Sequence, residues 1–445
     1  MAQTIWFDVT GICNWNGPPV GFVRAELETA RHLLLEFNGK TCFCRYDSTR
    51  DAHLEVFHKD IEIYIRRLDT YTEGSASSLS TGVGLRLKHF IKRMVQYLPE
   101  RPQHTIIRSL RRCRLILRKA KMMIARLLSR GLALFRLPAG SIERRLERGD
   151  VYITLRLDFE SNIFSDMYAI KERTGIKVVG MCHDLIPVKF PHFLEIDYSQ
   201  IFSCFIIDMA RCADKILCNS RNTFRDLEEF LSTVNVHCPP LEVIRLGADI
   251  GAQMGTIGEQ VRNICRVPYI LFVSNIERRK NHEILHRAYK KLAETGQRDL
   301  PRLVFVGRPG WSFDYIYSNI RLDQSINGLI LTLKYVNDSE LCSLYRHALF
   351  TVYPSLYEGW GLPVAESLAR GKFCIASSTS SLPEVGGDFV EYLDPSDLPL
   401  WVDRLAYYFD NPEVVRDWEE NIQSHYRPPT WVETTRAIVN HALSL

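Results

Sequence analysis

Two glutamates stand eight residues apart, Glu358 and Glu366, in the segment Tyr357-Glu358-Gly359-Trp360-Gly361-Leu362-Pro363-Val364-Ala365-Glu366. Carboxylates accept hydrogen bonds from hydroxyls, so a pair placed around a turn suits a sugar and a ribose. The two glycines between them let backbone N–H groups approach a ligand closely. The helix expected after Pro363, with Val364, Leu368 and Ala369 on one side, adds unpaired donors and the positive end of its dipole, which suit a phosphate. Ahead of the turn, residues 348–354 read as a short buried strand, apolar and β-branched and closed by Pro354. Glutamates before a helix commonly do no more than complement its dipole. Carboxylates, glycine turn and helix start together point to a nucleotide-sugar site.

Strand-like and helix-like segments alternate along most of the chain and would position this turn. The apolar segments 4–9, 41–46, 151–157, 177–181, 215–218 and 241–245 form one set of strand candidates. Residues 269–273, 302–306, 329–333, 349–353 and 372–376 form a second, with helical patterns such as 23–36 and 283–294 between strands. The alternation predicts α/β architecture: two doubly wound, Rossmann-like domains with parallel sheets, whose ligands sit beyond the carboxyl ends of the strands. Residues 1–250 form the first domain and 264–428 the second, with a polar, glycine-containing linker over 247–263 and a last helix over 431–443.

The segment 71–149 interrupts this rhythm with long basic helical patterns. Between positions 85 and 140 stand fifteen lysines and arginines against one acid, Glu100, a net +14 that leaves −10 for the rest of a chain whose total is +4. From Cys113 to Leu128 the apolar positions Ile116, Leu117, Ala120, Met123, Ile124 and Leu127 recur in steps of three and four. Arginines and lysines cover the other faces. A cationic amphipathic helix of this kind fits an anionic membrane surface, although a helix packed on the domain with its charges solvated has the same pattern. Phe90, Tyr97 and Phe135 are too sparse to stack on bases, so no nucleic acid is expected.

At 445 residues, 46% hydrophobic and 24% charged, the chain suits a soluble protein of two sizeable cores. No apolar run reaches the roughly 20 residues of a membrane helix, and the first residues lack the pattern of a signal peptide. Twelve cysteines without a Cys-x-x-Cys pair suggest reduced, buried thiols. A cytoplasmic protein, peripheral at the inner face of the plasma membrane, is the expectation.

The segment around Glu358 resembles the E-x7-E motif of retaining glycosyltransferase family 4, of the GT-B fold, and specifically its bacterial mannosyltransferase-like members. Two further segments carry the resemblance in the right order: residues 270–282, containing Glu277-Arg278-Arg279-Lys280-Asn281-His282, and residues 381–388, containing Pro383-Glu384-Val385. The element Cys182-His183-Asp184-Leu185-Ile186-Pro187 is similar to one common among those mannosyltransferases.

The resemblance implies two domains facing a central cleft, with the basic helical insertion in the first and the final helix, 429–445, crossing back to it. It implies that Glu358 contacts the transferred sugar or the diphosphate and that Glu366 accepts from both ribose hydroxyls. Backbone groups of Gly359, Trp360, Gly361 and Leu362 would face the sugar and phosphate. A positive pair near Lys280 stabilises the departing diphosphate. Its arginine usually stands several residues earlier, where this chain has Asn275, so Arg279 delivers that charge, with Arg278 beside it. His183 would contact the donor sugar or orient the acceptor, and Glu384 would support the pocket. The loop 10–21, with Gly17 and Gly21, would cover the diphosphate and admit the acceptor. Its spacing is not that of a dinucleotide fingerprint.

There is no Asp-x-Asp triplet, so no metal or other cofactor is expected. The expected activity is retaining transfer of a sugar, mannose from GDP-mannose first, to a glycan or lipid-linked acceptor in bacterial surface polysaccharide assembly. Another GDP-, UDP- or dTDP-linked donor, a nucleotide-sugar 2-epimerase and a non-catalytic membrane scaffold are the alternatives.

Overall fold

The computed structural model describes residues 3–47, 50, 52–69, 140–157, 159, 163–194, 198–250, 256–296, 299–310, 313–326 and 328–445. The basic stretch 85–139, and with it the expected membrane-docking helix, lies outside them.

The apolar segments become two sheets. The first comprises β1 (Ile5–Asp8), β2 (Thr41–Asp47), β3 (Ala52–Val56), β4 (Val151–Thr154), β5 (Lys177–Cys182), β6 (Lys215–Cys218) and β7 (Leu241–Val243), in the order β3-β2-β1-β4-β5-β6-β7. The second comprises β8 (Tyr269–Val273), β9 (Arg302–Val306), β10 (Ile330–Leu333), β11 (Thr351–Tyr353), β12 (Cys374–Ser377) and β13 (Glu391–Leu393), in the order β10-β9-β8-β11-β12-β13. Strands such as β1 and β4 are buried along their whole length, as expected of parallel strands covered by helices on both faces. Every pairing is parallel except β2 with β3, which run antiparallel at the edge of the first sheet.

In each sheet the strand order reverses once, between β1 and β4 and between β8 and β11. Loops that leave neighbouring strands there diverge to opposite faces and open a crevice at the carboxyl ends. Loops 10–21, 155–157 and 183–185 gather at one crevice, and loops 274–281 and 354–361 at the other.

The two sheets share apolar packing. One buried cluster runs from Phe7 and Leu33 to Phe272 and Trp401. The last helix, Trp431–Leu443, opens with a Thr430–Glu433 capping box and lies against the helix Phe22–Glu36 of the first domain. Its Thr434 hydroxyl donates to the Arg245 carbonyl at 2.8 Å, and its Trp431 N–H to Asp249 at 2.8 Å.

Two sequence expectations need correction. The stretch 247–263 is not a plain linker: helix Glu259–Ile264 begins within it and buries Val261 and Ile264. The stretch 10–21 is not all loop either. Residues Thr10–Asn14 form a short helix, started by Asp8, whose carboxylate accepts from the Thr10 N–H at 3.0 Å. A Cβ on Gly11 would meet the Glu26 carboxylate at 2.3 Å, so any larger residue there would have to displace that side chain.

Candidate active site

A cleft of about 420 Å³ lies between the two crevices, within the size range of small-molecule sites. One wall comes from the first domain, with Trp15, Gly21, Phe22, Arg24, His183 and Asp184. The other comes from the second, with Glu277, Arg279, Lys280, Glu358, the turn 359–363 and Glu366.

Its charged centre is built by β8 and β11. The loop after β8 runs through Glu277 into a 3₁₀ turn, Arg278–Lys280, that ends on Asn281 in the left-handed conformation. The Asn281 side chain holds that bend by donating to the carbonyls of Pro354 and Pro395, at 3.1 and 2.8 Å. The bend brings Lys280 Nζ to 2.5 Å from Glu358 Oε1 and 2.9 Å from the Tyr353 hydroxyl. Arg279 lies 2.9 Å from Glu358 Oε2 and donates to the Tyr357 carbonyl at 2.6 Å and to Glu277 at 2.8 Å. Glu358 Oε1 also accepts from the Ser355 hydroxyl at 2.6 Å and from Tyr353 at 3.1 Å.

Burial alone would raise the Glu358 pKa. The charges of Arg279 and Lys280 and the hydrogen bonds from Lys280 and Ser355 outweigh it and pull the carboxyl down to about 2. Burial and the Arg279 charge lower the pKa of Lys280, against the pull of Glu358. Glu358 is thus an ionised carboxylate with both oxygens engaged, gripping two cations at the rim of the cleft. Removing one partner of such a buried set typically costs about 3–5 kcal/mol.

The turn after Glu358 is shaped by glycine and serine. Gly361 has φ +123, which favours glycine, and the Ser381 hydroxyl lies 3.0 and 2.6 Å from the Glu358 and Trp360 carbonyl oxygens. Helix Leu362–Ala369 begins at once, with Pro363 in its first turn. Two turns along, Glu366 is only 6% exposed, and its Oε2 accepts from the Tyr345 hydroxyl at 3.0 Å. Burial raises its pKa, against the opposing charge of Arg24.

His183 sits at the carboxyl end of β5, buried, with Nε2 2.7 Å from the Leu155 carbonyl. That bond assigns the proton to Nε2 and leaves Nδ1 as an acceptor. Burial lowers its pKa to about 4, so the ring is neutral near pH 7. Its carbonyl is clasped by Asn219 at 2.8 Å and touched by the second domain: a Cβ on Gly359 would stand 1.9 Å from that oxygen.

Lys280, Arg279, Glu358, Glu366, His183, Gly21 and the turn Gly359–Leu362 therefore meet at one cleft. Gly17, with φ +137, lies against Arg308, whose guanidinium lies 5.0 Å from the Trp15 ring centroid. Arg278 is exposed and does not line the cleft. Nor does Glu384, which bridges the domains instead: its two oxygens accept the backbone N–H groups of Arg221 and Asn222, both at 2.7 Å, at the start of helix Arg221–Thr233. Partners from distant segments escaped the sequence reading. Tyr345 and Asn219 carry no local signal, whereas Tyr353 and Ser355 lay inside the strand and turn that led to Glu358. Among the described residues no group of three His, Cys, Asp or Glu is arranged to hold a metal ion, and no helix is long and apolar enough to cross a membrane.

Comparison with known proteins bears out the resemblance read from the sequence. Residues 259–425 match the family of glycosyl transferases group 1. An O-antigen chain mannosyltransferase B of Escherichia coli is 38% identical over 130 residues, covering 29% of this chain and 34% of that protein. The serotype-specific mannosyltransferase WbdA of the same species is 25% identical over 279 residues, covering 58% of this chain and 34% of the relative. The chain thus spans about a third of the length of these curated relatives. In three dimensions it superposes on Anabaena Alr3699/HepE, crystallised with UDP and glucose, with a TM-score of 0.60 at 12% identity over 100% of both chains. The fold is GT-B.

Proposed function

We propose that the protein is a metal-independent, retaining glycosyltransferase that moves mannose from GDP-mannose to a glycan or lipid-linked acceptor in bacterial surface polysaccharide assembly. One observation carries the reading. Lys280 and Arg279, oriented by the Glu358 carboxylate, border the same cleft as Glu366 and a glycine turn opening a helix.

A diphosphate leaving the anomeric carbon gathers negative charge, and preoriented cations and backbone donors stabilise it without reorganising during the reaction. Both oxygens of Glu358 already engage cations, so its part is to hold Arg279 and Lys280 in place. Glu366 offers its remaining acceptor capacity to ribose hydroxyls, and His183 offers Nδ1 to a hydroxyl of the sugar. Because both Glu358 oxygens are committed to cations, that carboxylate does not serve as a nucleophile, which favours front-side attack. The acceptor hydroxyl bonds to the anomeric carbon on the face the diphosphate leaves. The bond to the phosphate oxygen breaks with its electron pair, and that phosphate takes the acceptor's proton. Mannose is supported by the mannosyltransferase relatives and by the His183–Pro187 element. A membrane-proximal acceptor follows from the basic stretch 85–140.

The test is release of nucleoside diphosphate from a panel of nucleotide sugars in EDTA, with a lipid-linked acceptor extract present. GDP-mannose is expected to be consumed, with Lys280→Ala and Glu358→Ala each slower by roughly 10²–10³-fold. Consumption of another donor alone would overturn the mannose assignment. No turnover of any donor would favour the scaffold.

A further inference from the structure

Arg24 enters the cleft from the first domain, on helix Phe22–Glu36, and forks onto Asp338 of the second. The two N–O distances are 2.8 and 2.6 Å, across 314 residues of sequence, with Arg24 only 4% exposed. Asp338 is the first residue of helix Asp338–His347. Two turns along the same helix, Tyr345 donates its hydroxyl to Glu366 at 3.0 Å. One helix therefore touches both the bridge between the domains and the carboxylate expected to hold the ribose. Arg24, Asp338 and Glu366 all line the cleft.

The charges make this more than a strut. Asp338 and Glu366 both belong to the second domain, and two buried carboxylates near each other oppose each other's ionisation. A guanidinium from the first domain, Arg24, helps to offset them, and its charge acts on both, beside the charge of Arg370 of the second domain on Glu366. When the domains meet, Arg24 favours the ionised form of Glu366, and an ionised carboxylate is the stronger acceptor for hydroxyls. When they part, that support is withdrawn.

We infer that Arg24 is a donor-positioning residue contributed by the acceptor-side domain, coupling the grip of Glu366 on a vicinal diol to closure of the cleft through Asp338. Coupling between two binding events is reciprocal: if closure strengthens the diol contact, occupation of that contact favours closure. The inference rests on the nucleotide-sugar reading and adds to it a residue outside the motifs that carry that reading.

The experiment compares GDP with 2′,3′-dideoxy-GDP, and UDP with its dideoxy analogue, by calorimetry on the wild type, Arg24→Gln, Arg24→Lys and Asp338→Asn. Thermal melting identifies any variant that has failed to fold. In the wild type, loss of the ribose hydroxyls should weaken binding by at least about tenfold, the ordinary worth of a hydrogen bond to a charged group. In Arg24→Gln and Asp338→Asn that penalty should shrink towards onefold, and Arg24→Lys should restore part of it. X-ray scattering should show nucleotide-induced compaction in the wild type and not in Arg24→Gln. A folded Arg24→Gln that keeps the full hydroxyl penalty, or compacts like the wild type, overturns the coupling and leaves the donor site standing. Absence of binding by either nucleotide to the wild type overturns the donor reading itself, and the coupling with it.

Discussion

His183 and Glu358 face one cleft with pKa values displaced in the same direction for opposite reasons. Burial discourages charge on His183, holding its pKa at about 4, and lowers His282 to about 3. On Glu358 burial works the other way and is overruled by two cations, which hold it at about 2. The consequences for stability follow from which state binds more protons. Between pH 6.5 and the folded values the unfolded chain protonates these histidines and the native one does not. Their contribution is therefore complete above pH 6.5 and is lost as pH falls towards 4 and 3. For each this is on the order of 3–5 kcal/mol if the whole shift is traversed. The Glu358 contribution is complete above pH 4.5 and is lost only as pH falls from there to about 2. Acid sensitivity should thus begin with the histidines. Scanning calorimetry is expected to show Tm falling from pH 6.5 to 4.5, with a shallower slope when both His183 and His282 are replaced by Asn. A Tm unchanged down to pH 4.5 in the wild type would contradict these environments.

At the scale of elements, one point of close approach between the two domains requires a glycine. Gly359 packs so near the His183 carbonyl that a Cβ would stand 1.9 Å away, so Gly359→Ala must push the turn after β11 away from the end of β5. Both sheets would remain intact. Misplacement by about 1 Å can cost on the order of 10²-fold in rate, and a loss of that size in kcat is expected, together with weaker nucleoside diphosphate binding, because the same turn lines the donor cleft. Wild-type turnover in steady-state assays of Gly359→Ala would refute the contact.

The elements also show where sequence is legible. Strands buried on both faces, such as β8 and β9, announce themselves as unbroken apolar runs, and the Glu358 turn was readable because strand, turn and helix are contiguous. Of the edge strands, β7 and β10 were legible, and β3 and β13 were not. β3, with the polar His53 and Glu55 in its five residues, and β13, only three residues long, lack such a run. Nor were Arg24 with Asp338, or Tyr345 with Glu366, legible as pairs. A contact across 314 residues leaves no period or spacing to read, only a topology that must first be known.

For the whole molecule, charge is divided between segments. The stretch 85–140 carries a net +14 and the remainder −10, so the total of +4 describes neither part. Each Lys or Arg near an anionic bilayer contributes about 1 kcal/mol, lost over the Debye length. A segment with this surplus and an apolar stripe should therefore bring the whole chain to vesicles that contain anionic phospholipid, and less so to zwitterionic ones. Co-sedimentation is expected with the former at low ionic strength and to decline in about 1 M salt, where the Debye length falls to about 3 Å. Replacing Arg111, Arg112, Arg114, Arg118, Lys119, Lys121 and Arg126 by Gln should abolish it while hydrolysis of a soluble donor persists, because the residues assigned to donor binding stand in other segments of the sequence. Equal sedimentation with zwitterionic vesicles, or none with either, would mean that the stripe packs on the protein itself. The acceptor would then have to reach the cleft without help from the basic segment.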